Sequence, residues 1–251
     1  MSLFNTVTLL LIVAVDLDAQ HDRFGTPACS GPDAEFAARS FFIICHSSDR
    51  MIPLWVGYEL MPEHLDRTAT RPAHFRHDPD LSGPSAYDSD YRNSGYSRGH
   101  MAPAADFAWS QASIRATFLL SNAVPQRQAV NQGRWAQVEA TVRRIVAASD
   151  MTYVFTGPIF ESAEIERIGA SQVFVPTHTF KVILALEGTS KTMYAAIVPN
   201  ADVVREPLNQ FAVTVDEVER RTGFDFFSVV EDSEERDLES TMHLFPVRSS
   251  H

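Results

Sequence analysis

Short aromatic and β-branched segments alternate with polar connections in the first part of the chain. Phe41–Cys45 and Ile52–Leu60 are two such segments, and the polar sequence HSSDRM separates them, as is typical of a strand pair. The same character returns after the middle of the chain, in Met151–Phe160, Gln172–Leu186 and Met193–Val198. The sequence EGTSK at 187–191 supplies a hairpin turn. The pattern predicts one sheet that both halves of the chain build.

Apolar residues at helical spacing predict a helix over Asn131–Ala148. They fall on one stripe that should face the core, formed by Trp135, Val138, Val142, Ile145 and Val146. A second helix follows Thr214, which has capping-box spacing with Glu217, and it stops at Gly223. The acidic segment Glu231–Glu239 is expected to be a solvated surface. Together with the strands, these helices indicate an α+β protein with a central, mostly antiparallel sheet flanked by helices.

Two segments lack this regular pattern. His64–Gly95 is rich in His, Arg, Asp, Pro and Ser without apolar periodicity, and we interpret it as a loop beside a binding surface. Val7–Val15 is apolar but far shorter than the roughly 20 residues that span a membrane, so we expect no membrane association. Residues 1–19 are therefore either a signal peptide, which implies secretion, or a buried first strand of an intracellular or organellar protein. Residues 20–251 are expected to form a single domain.

Charge is distributed unevenly along the 251 residues. The formal net charge is -11 and the sequence pI about 5.2, which argues against a protein that coats nucleic acid by bulk charge. Between Arg98 and Arg144, however, six arginines stand against two acidic residues, for a local sum of +4. Residues 201–240 carry twelve acids and four arginines, for a sum of -8. The acidity therefore belongs largely to another region, and one face can attract phosphate.

Two cysteines, Cys29 and Cys45, are the only ones in the chain. They could form one disulfide in an oxidising compartment or remain two buried thiols, and the sequence alone does not distinguish these states. Their spacing is not that of a metal site.

The residues that could carry chemistry begin at Arg98-Gly99-His100. Downstream, Asn131, Trp135, Glu139 and Arg143 recur at intervals of four, so that on one helix they would form a slowly winding ridge. A single histidine is usually a packing or surface residue. Glu139 and Arg143 have the spacing of an ion pair on an exposed helix face, and Asn131 is a typical helix N-cap.

Taken together, these motifs resemble the DNA/RNA non-specific endonuclease family. These are the ββα-metal (His-Me finger) nucleases, which include Serratia-type enzymes and mitochondrial endonuclease G. The resemblance covers most of the chain. Its motifs are PLWVGYEL at 53–60, SRGH at 97–100, Ser121-Asn122 with Pro125-Gln126, Asn131 with Trp135 and Glu139, FTGP at 155–158, VPT at 175–177, VPN at 198–200, and Glu219 with Thr222-Gly223.

This resemblance implies a ββα-metal motif at about 98–148 and a role for each matched residue. His100 would be the general base, Asn131 the one direct protein ligand of Mg²⁺, and Glu139 a carboxylate that holds a metal-bound water. Three further residues would orient the site and contact the phosphate, namely Arg98, Asn122 and Arg143. The chemistry agrees, since a neutral imidazole can accept a proton from water and a hard cation with oxygen ligands neutralises phosphodiester charge.

The expected enzyme is a sugar-non-specific nuclease that depends on Mg²⁺, with Mn²⁺ as a substitute. It would cleave DNA and RNA to 5'-phosphate products. Little base selectivity is expected, because a site that grips mainly the phosphate backbone reads little base sequence. The alternatives are a non-catalytic nucleic-acid-binding module on the same fold, a mainly exonucleolytic relative, and a structural domain in which R-G-H is accidental. The oligomeric state stays open, with a homodimer among the options.

The sequence departs from the family pattern at Ser97, where members more often have Asp. A hydroxyl can hold a water but lacks the negative charge, which leaves metal preference and the balance of endo- and exonuclease activity open. Arg71 and Arg76 lie near the place of a phosphate-binding arginine in the family, and together with Ser97 they are candidate substrate-binding residues. His74 and His77 have HxxH spacing, but without further ligands nearby we expect loop histidines.

Overall fold

A computed structural model describes residues 21–201 and 206–246 and confirms the α+β class. Seven strands form one antiparallel sheet in the order β1-β2-β3-β6-β9-β10-β11, and β4-β5 and β7-β8 form two separate pairs. The strands are β1 (Ala34–Ala38), β2 (Ile43–Ser47), β3 (Ile52–Leu60), β4 (Tyr96–His100), β5 (Ala123–Arg127), β6 (Met151–Ile159), β7 (Arg167–Ile168), β8 (Val173–Phe174), β9 (His178–Glu187), β10 (Ser190–Pro199) and β11 (Ala212–Val213).

Helices cover both faces of this sheet. They are α1 (Asp88–Tyr91), α2 (Gln111–Thr117), α3 (Gln128–Asn131), α4 (Arg134–Ala148), α5 (Val215–Thr222) and α6 (Asp232–Ser240). Short 3-10 turns stand at Pro62–Leu65, Ala104–Asp106, Leu120–Asn122 and Leu208–Phe211. No helix in the described ranges is both long enough and apolar enough to cross a membrane.

The central strands are buried on both sides, and their alternate residues serve two separate cores. In β3, Val56 and Tyr58 point into the first core, whereas Trp55 belongs to the second. In β9, Ile183 lies in the first core and Phe180 in the second. Successive side chains of a strand point to opposite faces, so the near-continuous apolar runs of the sequence reflect burial on both faces.

The apolar stripe predicted for the long helix is buried as expected and packs in the first core. The start of the helix differs from the prediction of one helix over Asn131–Ala148, because α3 ends at Asn131 and α4 begins only at Arg134. The second predicted helix is α5, in which the Thr214 hydroxyl accepts a hydrogen bond from the Glu217 amide and Gly223 adopts a left-handed φ of 74°. It packs against the second core, on the other face of the sheet.

Several element boundaries differ from the sequence prediction. The segment Gln172–Leu186 is not one strand, since the chain leaves β8 after Phe174 and β9 begins at His178, with Pro176 between them. Proline cannot donate to a ladder, which explains the interruption. Strand β1 was not predicted at all. The polar segment 64–95 is largely irregular, as expected. The acidic segment 231–239 is mostly exposed, as expected of a solvated surface, except that Glu239 is buried.

Cys29 and Cys45 are joined by a disulfide, with their Cα atoms 5.5 Å apart. The disulfide resolves the choice between a bridge and two thiols. The proposed signal peptide or first strand at 1–19 lies outside the described residues, and the assignment of 20–251 to a single domain stays a prediction.

Candidate active site

His100 is the last residue of the β4 strand, in the β4-β5 hairpin. It lies opposite Ala123 in the antiparallel register. The preceding residue, Gly99, has no room for a side chain, since a Cβ atom there would lie 2.5 Å from Oε1 of the buried Gln126 side chain. The glycine of the R-G-H motif is therefore explained by this close packing, which fixes the strand that carries His100.

The His100 imidazole is only 8% exposed and is packed between two aromatic rings. Its centroid lies 4.6 Å from that of Phe75 and 4.9 Å from that of Phe118. Burial, and secondarily the positive charge of Arg71, lowers the pKa of His100 to about 3. Nε2 is buried without a hydrogen-bond partner in the described part of the chain. His100 is thus neutral at pH 7, as a proton acceptor requires.

Asn122 fixes the chain that follows His100. Its carboxamide oxygen accepts from the Ala102 amide at 2.8 Å, and its amide nitrogen donates to the carbonyl oxygens of Ala102 and Thr117, each at 2.9 Å. The side chain is completely buried, and these three bonds engage both ends of it. The expectation that Asn122 contacts the phosphate is therefore wrong; Asn122 orients the backbone beside His100.

The break between α3 and α4 positions Asn131. Gly133 lies in the break with φ -106° and ψ -107°, and a Cβ atom there would approach the Ala129 carbonyl oxygen to 2.2 Å. Asn131 is therefore the last residue of a short helix and not the N-cap of α4, whose N-cap is Gly133. Trp135, in the first turn of α4, is buried and donates from Nε1 to the His100 carbonyl oxygen at 3.3 Å, which ties the helix to β4.

One cleft of about 320 Å³ collects the main candidate residues. Arg71, Arg98, His100, Asn131 and Glu139 all line it. The loop, the hairpin and the two helices thus bring an imidazole, a carboxamide, a carboxylate and two guanidinium groups to the same space. This is the convergence that the family resemblance implied.

Arg143 is paired with Asp106. Its Nη1 atom donates to Asp106 Oδ1 at 2.7 Å, and the Asp106 side chain is completely buried. The interpretation of Glu139 and Arg143 as a surface ion pair is therefore wrong. Arg143 does not border the cleft in the described structure, so its expected direct contact with phosphate is not supported, although its charge lowers the pKa of Glu139.

Glu139 lies in an electrostatic environment that the sequence did not reveal. Burial raises its pKa, while Lys181 is the largest influence that lowers it. Lys181 is completely buried in β9, and burial lowers its own pKa. Its Nζ atom donates to the Met101 carbonyl oxygen at 3.1 Å and to the Tyr58 hydroxyl at 3.2 Å. A buried cation behind the cleft therefore favours the carboxylate form of Glu139.

A second cleft of about 380 Å³ adjoins the first and shares Arg71, Arg98 and Asn131 with it. Ser97 and His74 also line this second cleft. The two clefts together form a groove with arginines along it, and this groove is large enough to hold more than the reacting phosphate.

Arg98 is held in the groove by an acidic partner. Its Nε atom lies 2.7 Å from Asp88 Oδ1, and its Nη2 atom donates to the Asp88 carbonyl oxygen. Arg71 lies over the Phe118 ring at 5.1 Å. Arg76, in contrast, is exposed and borders neither cleft, because its backbone is bridged to Leu119. Of the two loop arginines, the structure brings only Arg71 to the groove.

The HxxH pair does not act as one unit. His74 lines the second cleft, whereas the His77 ring stacks on Tyr87 at 4.4 Å with an interplanar angle of 6°. The Nδ1 atom of His77 also lies 3.3 Å from the Ala86 carbonyl oxygen. His77 thus has a packing role in the loop.

The donor atoms in the first cleft fit a hard divalent cation. In the described structure no hydrogen bond engages the Asn131 carboxamide or the Glu139 carboxylate, although both border the cleft. An amide oxygen and a carboxylate are oxygen ligands, and a site with so few protein ligands leaves room for the several waters that Mg²⁺ retains. The residues present therefore fit a hydrated cation.

Other motifs have structural roles. Asn200 accepts a hydrogen bond from the Arg127 amide at 2.8 Å and donates to the carbonyl oxygens of Pro125 and Pro176, which joins β5 to the chain around β9. Sequence reasoning missed Lys181 and Asp106. Lys181 was one polar position within an apolar strand, and a charge at a buried strand position is the signal that could have singled it out.

Most of the chain matches one known protein family. Residues 20–233 match the DNA/RNA non-specific endonuclease family. The chain is 34% identical to mitochondrial endonuclease G of Bos taurus over 225 residues, which are 80% of this chain and 75% of that protein. It is 34% identical to Nuclease C1 of Cunninghamella echinulata var. echinulata over 233 residues, 86% and 90% of the two chains.

A solved structure gives the same result at the level of the fold. The crystal structure of the EndoG/EndoGI complex, described as showing the mechanism of EndoG inhibition, contains a chain that is 31% identical to this one. The two superpose with a TM-score of 0.79 over 85% of this chain and 92% of the other. The fold described above thus has a counterpart among solved structures.

Proposed function

Because the chain belongs to the DNA/RNA non-specific endonuclease family and is a nuclease, we propose that it hydrolyses DNA and RNA with Mg²⁺ in the cleft that His100 borders. The observation that carries this proposal is the convergence of His100, Asn131 and Glu139 on one cleft. Members of the family generally use divalent metal ions. The choice of Mg²⁺, with Mn²⁺ as a substitute, rests on the oxygen donors of the site.

His100 is the proposed general base. A water molecule in the cleft gives its proton to the imidazole as its oxygen attacks phosphorus, and the bond from phosphorus to the 3' oxygen breaks. The 3' oxygen takes a proton from solvent, so the products are a 5'-phosphate and a 3'-hydroxyl. The low pKa of His100 keeps the base neutral before the step, and its aromatic neighbours hold the ring in place.

Asn131 and Glu139 would hold the cation, Asn131 through its amide oxygen and Glu139 through a water. When bound there, a divalent cation neutralises charge on the phosphate and the leaving oxygen. Lys181 acts from behind the cleft by keeping Glu139 ionised. Asn122 keeps the segment after His100 in place, as its three hydrogen bonds to backbone indicate.

Arg71 and Arg98 are the proposed phosphate contacts, because both border the two adjoining clefts. Ser97 would contact substrate or a water in the second cleft. Contacts to the phosphates read neither the bases nor the sugar 2'-hydroxyl, so DNA and RNA are both substrates in this proposal. Arg143 would act on the site indirectly. It forms an ion pair with Asp106, and its charge lowers the pKa of Glu139.

The test is cleavage of supercoiled plasmid and of end-labelled linear DNA and RNA, with Mg²⁺ and with EDTA. We expect His100→Ala to lose roughly 10²- to 10⁴-fold in rate while it still binds nucleic acid. His243→Ala is the control, because His243 contacts the Met193 carbonyl oxygen on another part of the fold. Unchanged cleavage by His100→Ala would remove His100 from the mechanism.

The same assay separates the alternatives. Early nicking of the circle indicates an endonuclease, whereas an intact circle with shortened linear ends indicates the exonucleolytic alternative. Binding without any cleavage would indicate a non-catalytic module. Relatives that include mitochondrial endonuclease G support an organellar location over secretion, and a homodimer stays a prediction.

A further inference from the structure

Three carboxylates converge on the face of the sheet opposite the cleft. Asp216 and Glu219 belong to α5 and Glu239 to α6, and one oxygen of each lies within 4.8 Å of the others. Val218 of α5 and Leu238 of α6 pack in the second core, whereas the cleft residues lie beside the first. The cluster is therefore separate from the candidate active site.

Glu239 is the residue that makes this cluster unusual. It is 8% exposed, and its Oε1 atom is buried with no hydrogen-bond partner among residues 21–201 and 206–246. It also lies in the last turn of α6, which contains no basic residue. A negative charge at the C-terminal end of a helix opposes the helix dipole, so nothing local compensates this carboxylate.

Basic side chains near the cluster have other partners. Arg236, in α6 itself, donates to the Asp232 carbonyl oxygen. Arg220 forms an ion pair with Glu217, and Arg221 pairs with Glu161. Lys191 pairs with Glu234, on the N-terminal half of α6. An uncompensated buried carboxylate is costly, so the cluster needs either protons or an external cation.

Burial and the charges of neighbouring acidic residues raise the pKa values of the carboxyl groups of Glu219 and Glu239. Burial, followed by the charges of Glu219, Glu235 and Asp216, raises the pKa of Glu239 to about 8. Burial likewise raises the pKa of Glu219 to about 7, although its Oε1 atom accepts a hydrogen bond from the Phe226 amide at 2.8 Å. A divalent cation would displace these protons.

We propose that Asp216, Glu219 and Glu239 form a second, structural cation site that binds Ca²⁺ and joins α5 to α6. Ca²⁺ takes about six to eight oxygen ligands in flexible geometry, and carboxylates are among its usual ligands. One oxygen of each carboxylate already lies within 4.8 Å of the others, so small side-chain adjustments would bring all three to one ion. The exposed Asp216 leaves room for water ligands.

Calcium bound per chain can be measured by equilibrium dialysis of the full-length, EDTA-stripped protein, with the melting temperature as a second readout. We expect Asp216→Asn and Glu239→Gln each to weaken one Ca²⁺ site at least tenfold. Asp237→Asn removes the same charge from an exposed position of α6 and should bind as wild type does. Asn131→Ala, which affects the cleft, should retain this site.

Each outcome of these measurements either supports or overturns the proposed Ca²⁺ site. Saturating Ca²⁺ should raise the melting temperature of wild type and Asp237→Asn by roughly 5 °C, and that of Asp216→Asn much less. The proposal is overturned if Asp216→Asn binds Ca²⁺ as wild type does, or if Asn131→Ala loses all bound Ca²⁺. A Glu239→Gln protein that is more stable in EDTA and binds Ca²⁺ unchanged would show that protons, and not a cation, satisfy the cluster. Asp216 is exposed, so its variant keeps the test valid if Glu239→Gln fails to fold.

Discussion

Lys181 shows how a side chain that never borders the cleft can control a residue that does. Its positive charge lowers the pKa of Glu139, which burial raises. Lys181→Met removes that charge, so the pKa of Glu139 rises further and less carboxylate is present at pH 7. Metal ions bind the deprotonated ligand, and we therefore expect roughly tenfold weaker activity at pH 7 that recovers as pH is raised or as Mg²⁺ is added.

The measurement is the nuclease rate against pH at several Mg²⁺ concentrations. Lys191→Met is the matched control, because Lys191 lies on the neighbouring strand and pairs with Glu234 near the protein surface. Urea unfolding of both variants separates a fold defect from an electrostatic effect. If Lys181→Met and Lys191→Met have the same pH profile, Lys181 has no influence on the site.

At the residue scale, the sequence identified the residues whose chemistry is visible in their type. The family resemblance placed His100, Asn131 and Glu139 together, and they line one cleft. The sequence could not reveal which polar groups are already engaged. Asn122 makes three hydrogen bonds to backbone and Arg143 is paired with Asp106, and both partnerships depend on chain segments that meet only in the fold.

The break between α3 and α4 is the element on which the position of Asn131 depends. Gly133→Ala would bring a Cβ atom to 2.2 Å from the Ala129 carbonyl oxygen, so the junction must shift. Small displacements of a catalytic or ligand group are costly, and we expect a loss of roughly 10- to 100-fold in nuclease rate with the fold retained. The rate and the Mg²⁺ dependence measure this, with circular dichroism as the check on folding.

Gly188→Ala is the control for this change. Gly188 lies in the β9-β10 turn with φ 57°, and a Cβ atom there meets nothing within 4 Å. The Gly188→Ala substitution should lower the free energy of unfolding by about 1 kcal/mol through backbone strain and leave the nuclease rate unchanged. A Gly133→Ala protein with wild-type rate and metal dependence would show that the junction does not set the position of Asn131.

At the element scale, periodicity identified the helices and the strands of the main sheet, because burial of one or both faces leaves a repeat in the sequence. Periodicity did not reveal features that depend on local backbone geometry. The stripe of α4 continues smoothly back toward Asn131, so nothing in the periodicity reveals the break at Gly133. The acidic run 231–239 is mostly a solvated surface, as predicted, but its periodicity did not reveal that Glu239 is buried where α6 packs against α5.

For the whole molecule, the sheet separates two cores with different roles. The groove lies beside the first core, and the disulfide and the acidic cluster lie beside the second. Cys45 is completely buried in that second core, and Cys29 packs at its edge. The groove and the disulfide thus lie on opposite faces, which share only the strands between them. The sequence could not show this division, since each central strand contributes to both cores.

The disulfide offers a test of that division. Cys29 and Cys45 are 16 positions apart, and a link over a loop of that length stabilises a protein by about 3 kcal/mol in the chain-entropy treatment. Replacement of both cysteines by serine should therefore lower the melting temperature by roughly 5–10 °C and leave the nuclease rate at 25 °C unchanged. Reduced wild-type protein should show the same shift, and the double variant should not respond to reductant. A folded double variant with a greatly reduced rate would mean that the second core also controls the groove.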